Sequence, residues 1–185
     1  MARLYLVRHG EPTGNWGQSA DPDPGLSELG HRQAAATAEH LLTLRPVHLV
    51  TSPLRRAAET GAALASRLQR QATIAPPVSE IPTPPHVPHE GRGDWLRAAM
   101  ARTWPELETG LQAWRSEALA YLQSLEGDTA VFSHYVLINV AVGAAIGDDR
   151  VHCFAPTHAS VTIVENAGHG LTLVELGATG ASAIR

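Results

Sequence analysis

Short apolar runs alternate with longer amphipathic stretches along this chain, and turn-forming residues mark most of the boundaries. Arg3 to Arg8 is an apolar run of strand length that leads straight into polar residues, and predicts a first strand. Glu11 to Gly25 is rich in Gly and Pro, with Asp-Pro-Asp-Pro-Gly at 21–25, and predicts a loop. Ser27 is placed to cap a helix reaching about Leu44, with Leu29, Ala36 and Leu41 near helical spacing and Pro46 to stop it. Val47 to Thr51 predicts a second strand. Ser52 and Pro53 then read as the N-cap and first residue of an Ala-rich helix to about Gln69.

The pattern changes between residues 75 and 105. Pro76, Pro77, Pro82, Pro84, Pro85, Pro88 and Pro105 lie close together, with His86, His89, Trp95 and Trp104 among them. This reads as a long irregular connection, and such connections inside a compact domain are usually functional. Beyond it come a helix from about Glu106 to Leu125, with Gly127 to end it, and a buried strand at Thr129 to Ser133. Val136 to Ile146 is an apolar helix ended by Gly147. Ser160 to Val164 and Leu171 to Glu175 are two closing strands across a turn with Gly168 and Gly170.

Strands alternating with helices predict an α/β fold, a mostly parallel central sheet with helices on both faces. At 185 residues the expectation is a single domain, 1–185, with a variable cap segment at about 76–105. Ligands of such sheets sit beyond the carboxyl ends of the strands. That rule selects Arg8-His9-Gly10, Ser52 to Arg56, and Ser133-His134-Tyr135, so two histidines and at least two arginines are expected in one crevice.

Composition narrows the partners. The chain is 44% hydrophobic and 17% charged, a globular balance rather than a disordered one. It has 14 arginines, no lysine and a formal net charge of -4, which argues against nucleic acid or an anionic membrane as the main partner. One cysteine, Cys153, excludes an intrachain disulfide scaffold and suits a reducing compartment. Arg8 and His9 interrupt the first apolar stretch, which is therefore not a signal peptide. The run Val136 to Gly147 falls far short of the ~20 residues of a membrane helix, so a cytoplasmic protein is expected.

Arginine offers a planar fork of donors that matches phosphate oxygens, and a helix start adds free N–H groups. A histidine in such a cradle can attack phosphorus if one ring nitrogen is unprotonated, and neighbouring cations favour that neutral form. Arg8-His9-Gly10-Glu11, Asn15, Leu26 to Gly30, Ser52 to Thr60 and Phe132-Ser133-His134 together resemble the histidine phosphatase superfamily, in its phosphoglycerate mutase-like branch. The likeness runs in order through nearly the whole chain. It implies a three-layer sandwich and a phosphomonoesterase acting on a small-molecule phosphate ester, with no metal or organic cofactor. His9 is then the nucleophile that becomes a phosphohistidine; Arg8, Arg56 and His134 bind the phosphate, assisted by Asn15. Glu80 aligns with the acid that protonates the leaving oxygen, and Glu90, beside Gly91, is a second candidate. Tyr135 stands where the family usually has Gly; its backbone N–H still serves the phosphate, while its ring must find room.

Other functions stay open on the sequence. A mutase must grip a second acidic group, for which Arg92, Arg97 and Arg102 are the available cations, and these arginines also suit an anionic group on a phosphatase substrate. A phospho-ligand binding module is a second rival, although both histidines are present. The insert at 76–105 speaks against a capless protein-phosphohistidine phosphatase. His86, His89 and Glu90, or His152, Cys153 and His158, are thin metal sets. Trp95, Trp104 and Trp114 read as packing, with Trp95 or Trp104 able to touch a substrate. Arg55 is expected to pair with Glu59 in solvent, Asp148 and Asp149 to form a solvated turn, and the final strand to be free to pair with a second copy as a homodimer.

Overall fold

The computed structural model describes residues 1–14 and 21–180. A six-stranded sheet lies at its centre, in the order β3-β2-β4-β1-β5-β6. Its strands are β1 (Ala2–Arg8), β2 (His48–Thr51), β3 (Thr73–Ile74), β4 (Thr129–Ser133), β5 (Val161–Asn166) and β6 (Leu171–Glu175). The first four run parallel, and β5 and β6 close the sheet as an antiparallel hairpin beside β1.

Alternation along β1 assigns the two faces, because successive side chains point to opposite sides of a strand. Tyr5 and Val7 join Leu49, Ala130 and Phe132 under helices α1 (Glu28–Leu44) and α2 (Arg55–Leu68). Leu4 and Leu6 join Val50 and Val131 under α4 (Thr109–Gln123) and α5 (Tyr135–Ile146). The result is the three-layer α/β arrangement expected from the alternation of elements.

Several boundaries differ from the sequence reading. The Ser27 hydroxyl caps α1 by accepting the Gly30 N–H at 3.0 Å, as expected. The buried stripe of that helix, however, is Gly30, Ala34, Thr37, Ala38 and Leu41; Leu29 and Ala36 face outward. α2 starts three residues later than Ser52, with Leu54 at its cap, and Ser52 is buried behind it. α4 starts at Thr109, since Trp104–Glu106 forms a separate 3-10 turn. β5 starts one residue later than Ser160 and runs on to Asn166.

The proline-rich connection holds more order than its composition suggested. It contains 3-10 turns at Pro76–Val78 and His89–Gly91 and a helix, α3 (Arg92–Met100). Ile81, Leu96 and Trp104 are buried with Tyr135, Val136, Val140 and Val151, a third apolar cluster that attaches this segment to the start of α5. Asn139, the polar interruption of apolar α5, donates to the Tyr135 carbonyl and accepts the N–H groups of Cys153 and Phe154, holding the 152–154 loop against the helix.

Two glycines set how close the first loop comes to α1. A Cβ on Gly10 would lie 2.6 Å from the Gly30 carbonyl oxygen, and one on Gly30 would run into the Glu11 carbonyl. Backbone therefore meets backbone at this crossing. Gly30→Ala is expected to lower unfolding stability by about 1–3 kcal/mol, the usual range for overpacking a tight contact. Urea unfolding measures it, and an unchanged midpoint would mean that the loop yields freely.

Candidate active site

β1, β2 and β4 end on the same edge of the sheet, with Arg8 level with Ser133 and Thr51 level with Phe132. The residues that follow them are held together by backbone bonds. The His9 N–H donates to the Ser133 carbonyl at 2.9 Å, and the Ser52 N–H to the Phe132 carbonyl at 3.0 Å. His9 and His134 thereby come to 5.2 Å between ring centroids, and both are fully buried.

The protonation of His9 follows from its partners. Nδ1 lies 2.7 Å from the Gly10 carbonyl oxygen, which can only accept, so Nδ1 carries the hydrogen. Nε2 then keeps its lone pair and accepts from Arg56 Nε at 3.2 Å. Burial, followed by the nearby charges of Arg56, His134 and Arg8, holds the His9 pKa well below 6.5. Gly10 is itself fixed, its N–H donating to Thr60 Oγ1 at 3.0 Å while that hydroxyl donates to the Arg56 carbonyl at 2.7 Å.

His134 Nε2 accepts from the Ser52 hydroxyl at 2.8 Å, whose oxygen in turn accepts the Leu54 N–H, and the ring proton then sits on Nδ1. Its Nδ1 is buried with no partner among the described residues. Burial, then Arg56, Arg8 and Arg92, keep this imidazole neutral as well. A buried ring nitrogen without a partner, among three guanidinium charges, is a position that an oxyanion can complete.

Glu80 is 7% exposed at the same edge. The Ser133 hydroxyl donates to the Val78 carbonyl at 2.7 Å and ties the 76–78 turn to the end of β4. Glu80 Oε1 then accepts the N–H groups of Ile81 at 3.0 Å and Val136 at 3.1 Å, the latter in the first turn of α5. Burial dominates and raises its pKa, against those bonds and the charges of Arg56 and Arg92. Glu90 lies exposed in the 89–91 turn.

Of the sequence candidates, His9, Glu80, His134, Arg8, Arg56 and Tyr135 are buried around one edge of the sheet. Asn15 lies outside the described residues. The Tyr135 ring finds its room beside His152, nearly parallel at 5.7 Å between centroids, with its hydroxyl 3.0 Å from Nδ1; the Arg8 guanidinium lies 5.0 Å from the centre of its ring. Of the three cap arginines only Arg92 reaches the site: its charge bears on Glu80, Arg56 and His134, and it donates to the Ile81 carbonyl at 3.0 Å. Arg97 pairs with Asp94, and Arg102 is exposed. Trp104 is core, 1% exposed beside Trp114, whereas Trp95 lies under Arg92.

Four contributors were not assigned a site role from the sequence. Ser52 and Thr60 lay inside a recognised motif but read as helix start and helix body. Asp23 lay in a loop; both its oxygens accept the Arg55 N–H at 3.0 Å, and it stands 3.6 Å from Arg56 Nη1. His158, 5.6 Å from His9 between ring centroids, was named only in a thin metal set with His152 and Cys153. Among the described residues no group of three or more His, Cys, Asp or Glu side chains converges as a metal ion would require. His86 instead faces Glu108 at 3.6 Å.

The fold and site set two neutral imidazoles among buried arginines and a buried carboxyl group, and comparison places the chain in a family. Residues 4–179 match the Histidine phosphatase superfamily (branch 1), and the chain belongs to it. It is 33% identical over 120 residues to a glucosyl-3-phosphoglycerate phosphatase of Mycolicibacterium vanbaalenii, covering 64% of this chain and 49% of that protein. A probable phosphoglycerate mutase of Cronobacter sakazakii is 35% identical over 86 residues, 44% of this chain and 39% of that one. The chain thus spans about half the length of the first of these curated relatives, and less of the second. A solved mycobacterial glucosyl-3-phosphoglycerate phosphatase in complex with VO3 superimposes with a TM-score of 0.73 at 23% identity, over 97% of this chain and 100% of that one. A phosphoserine phosphatase of Entamoeba histolytica gives 0.75 at 18%, over 97% and 98%. At those identities the structures share the fold.

The buried histidines make stability depend on pH. His9, His134 and His158 have folded pKa values below their unfolded value of 6.5, His158 at about 4. The unfolded chain therefore binds protons first, and the contribution of these groups, full above the unfolded pKa, is lost as pH falls through that window. Glu80, with its pKa raised, acts in the opposite sense but is a single group. The urea midpoint is expected to be lower at about pH 5 than at about pH 7.5. An equal or higher midpoint at the lower pH would contradict the neutral, buried assignment.

Proposed function

We propose that the chain is a single-domain phosphomonoesterase acting on a small-molecule phosphate ester through a covalent phosphohistidine on His9. The observation that carries this reading is the contact of His9 Nδ1 with the Gly10 carbonyl, which leaves Nε2 as a nucleophile without any further base. Arg8, Arg56 and the N–H at Tyr135 hold the phosphoryl oxygens, with His134 Nδ1 as a further partner and Asn15 assisting. The Arg56 Nε–H that now rests on Nε2 turns to a phosphoryl oxygen when substrate enters, freeing the lone pair.

In the first step Nε2 bonds to phosphorus and the P–O bond to the alcohol breaks. Glu80 gives its proton to the leaving oxygen. Both N–H donors of Glu80 occupy Oε1, so Oε2 is the oxygen that carries the proton. In the second step the Glu80 carboxylate takes a proton from water, which attacks phosphorus; the P–N bond breaks and phosphate leaves. The arginines hold the charge on the equatorial oxygens throughout.

Residues 76–105 serve as the cap, and Arg92 is its contribution to the pocket. A single cap arginine at the site favours a phosphatase over a mutase, which needs a firm grip on a second acidic group. Its place beside Glu80 suits a substrate with an anionic group beyond the reacting phosphate. A small ester fits the site better than nucleic acid or a membrane, and among the described residues no helix is long and apolar enough to cross a membrane. The free thiol of Cys153 suits the cytoplasm. β6, at the sheet edge with Val174 and Leu176 exposed nearby, offers a pairing edge for a homodimer.

Hydrolysis of p-nitrophenyl phosphate and of an alkyl phosphate, with EDTA present, tests the reading. The native chain is expected to turn over both, and His9→Ala neither. Glu80→Gln is expected to lose about a hundred- to ten-thousand-fold on the alkyl ester and much less on p-nitrophenyl phosphate, whose leaving group needs little help from a proton. Turnover by His9→Ala at the native rate would sink the mechanism. Phosphate binding without turnover of any ester would make the chain a binding module.

A further inference from the structure

Arg8 is 6% exposed, and its guanidinium is gripped from one loop and one ring. Nη1 donates to the Pro156 carbonyl at 2.8 Å, Nη2 lies 2.9 Å from His158 Nε2, and the Tyr135 ring faces the group. Arginine has donors only, so His158 Nε2 is the acceptor and Nδ1 holds the ring proton.

That loop is anchored to the strand that carries Arg8. The Ala159 N–H donates to the carbonyls of Arg8 at 2.9 Å and His9 at 3.2 Å, and the Arg8 N–H donates to the Ser160 carbonyl at 3.2 Å. Thr37 Oγ1 donates to the Ala159 carbonyl at 2.7 Å, bringing α1 into the same joint. Ala159 adopts a left-handed φ of 57°, a conformation a non-glycine residue holds only where its surroundings fix it. The side chain next to it therefore projects from a rigid base.

We propose that His158 is a positioning residue of the phosphate site, acting through Arg8: its Nε2 fixes the plane of the guanidinium that meets the phosphoryl oxygens. This rests on the reading of the site as a phosphate pocket. Burial and the neighbouring Arg8 charge keep His158 neutral, and therefore an acceptor, down to about pH 4. Arginine is pre-organised by its planarity, yet the torsions of its stem are free, and an acceptor at one edge removes that freedom.

The test measures binding of inorganic phosphate by calorimetry and kcat/KM on p-nitrophenyl phosphate. His158→Phe and His158→Leu keep bulk and remove the acceptor; either one, if melting shows it folded, serves. Both measures are expected to fall about 10- to 100-fold, the size of a lost charge-assisted hydrogen bond. His158→Gln, which restores an oxygen acceptor, is expected to recover most of the loss. In an Arg8→Ala background the same substitutions are expected to cost nothing further, since a residue acting through Arg8 has nothing left to position.

Full phosphate affinity in a folded His158→Phe or His158→Leu protein would overturn the proposal. So would losses that multiply with Arg8→Ala, or a His158→Gln variant as weak as His158→Phe. A native chain that binds phosphate but hydrolyses no ester would overturn the phosphatase reading while leaving His158 to be judged by phosphate affinity. A native chain that binds no phosphate would overturn both.

Discussion

The bond from His9 Nδ1 to the Gly10 carbonyl is the constraint on which the rest of the site depends. A neutral histidine can present either ring nitrogen, and the main chain here decides which by accepting the Nδ1–H, while burial and the nearby arginines keep the ring neutral. That decision holds only while the carbonyl stays where it is. Thr60 fixes the Gly10 N–H from α2, and the glycine crossing with Gly30 fixes the backbone from α1. One hydrogen bond thus collects the sheet edge, two helices and the loop between them into a single requirement.

Around this ring the protein buries charge that would be costly alone. Arg8, Arg56 and Glu80 are each less than a tenth exposed, with Arg92 at their margin. Burial lowers the arginine pKa values, that of Arg8 to about 10, which still leaves it charged at any working pH. The same cations oppose the rise of the Glu80 pKa without cancelling it. Such a balance suits the acid and base roles proposed for Glu80, and the buried arginines suit the phosphate group proposed as their ligand.

Much of this was legible in the sequence, for identifiable reasons. Apolar runs marked the buried strands, Ser27 and Gly147 marked helix ends, and the rule that ligands collect beyond the carboxyl ends of parallel strands gathered Arg8, His9, Arg56 and His134. Glu80 was singled out because the family resemblance aligns it with the acid of that branch, and the structure buries it at the same edge of the sheet. What stayed hidden was tertiary. α3 follows a run of prolines and is held by burying Leu96 against the start of α5, a contact that no local pattern records. Ser52 resembled a helix cap because Ser-Pro usually is one, yet its hydroxyl turns to His134. His158 was read only as a thin metal candidate, because its place beside Arg8 comes from a loop folded back onto β1 from 150 residues away.

The central claim is chemical: phosphorus is transferred to Nε2 of His9, because Nδ1 is committed to the main chain. The most direct measurement is to mix the 15N-histidine-labelled protein with a turning-over ester, quench in alkali, where phosphohistidine survives, and read the 31P–15N coupling in the denatured chain. A phosphoramidate at Nε2 of His9, absent from His9→Ala, is the predicted result. Phosphorus on Nδ1, on another residue, or on no residue while the ester is being consumed would contradict the account.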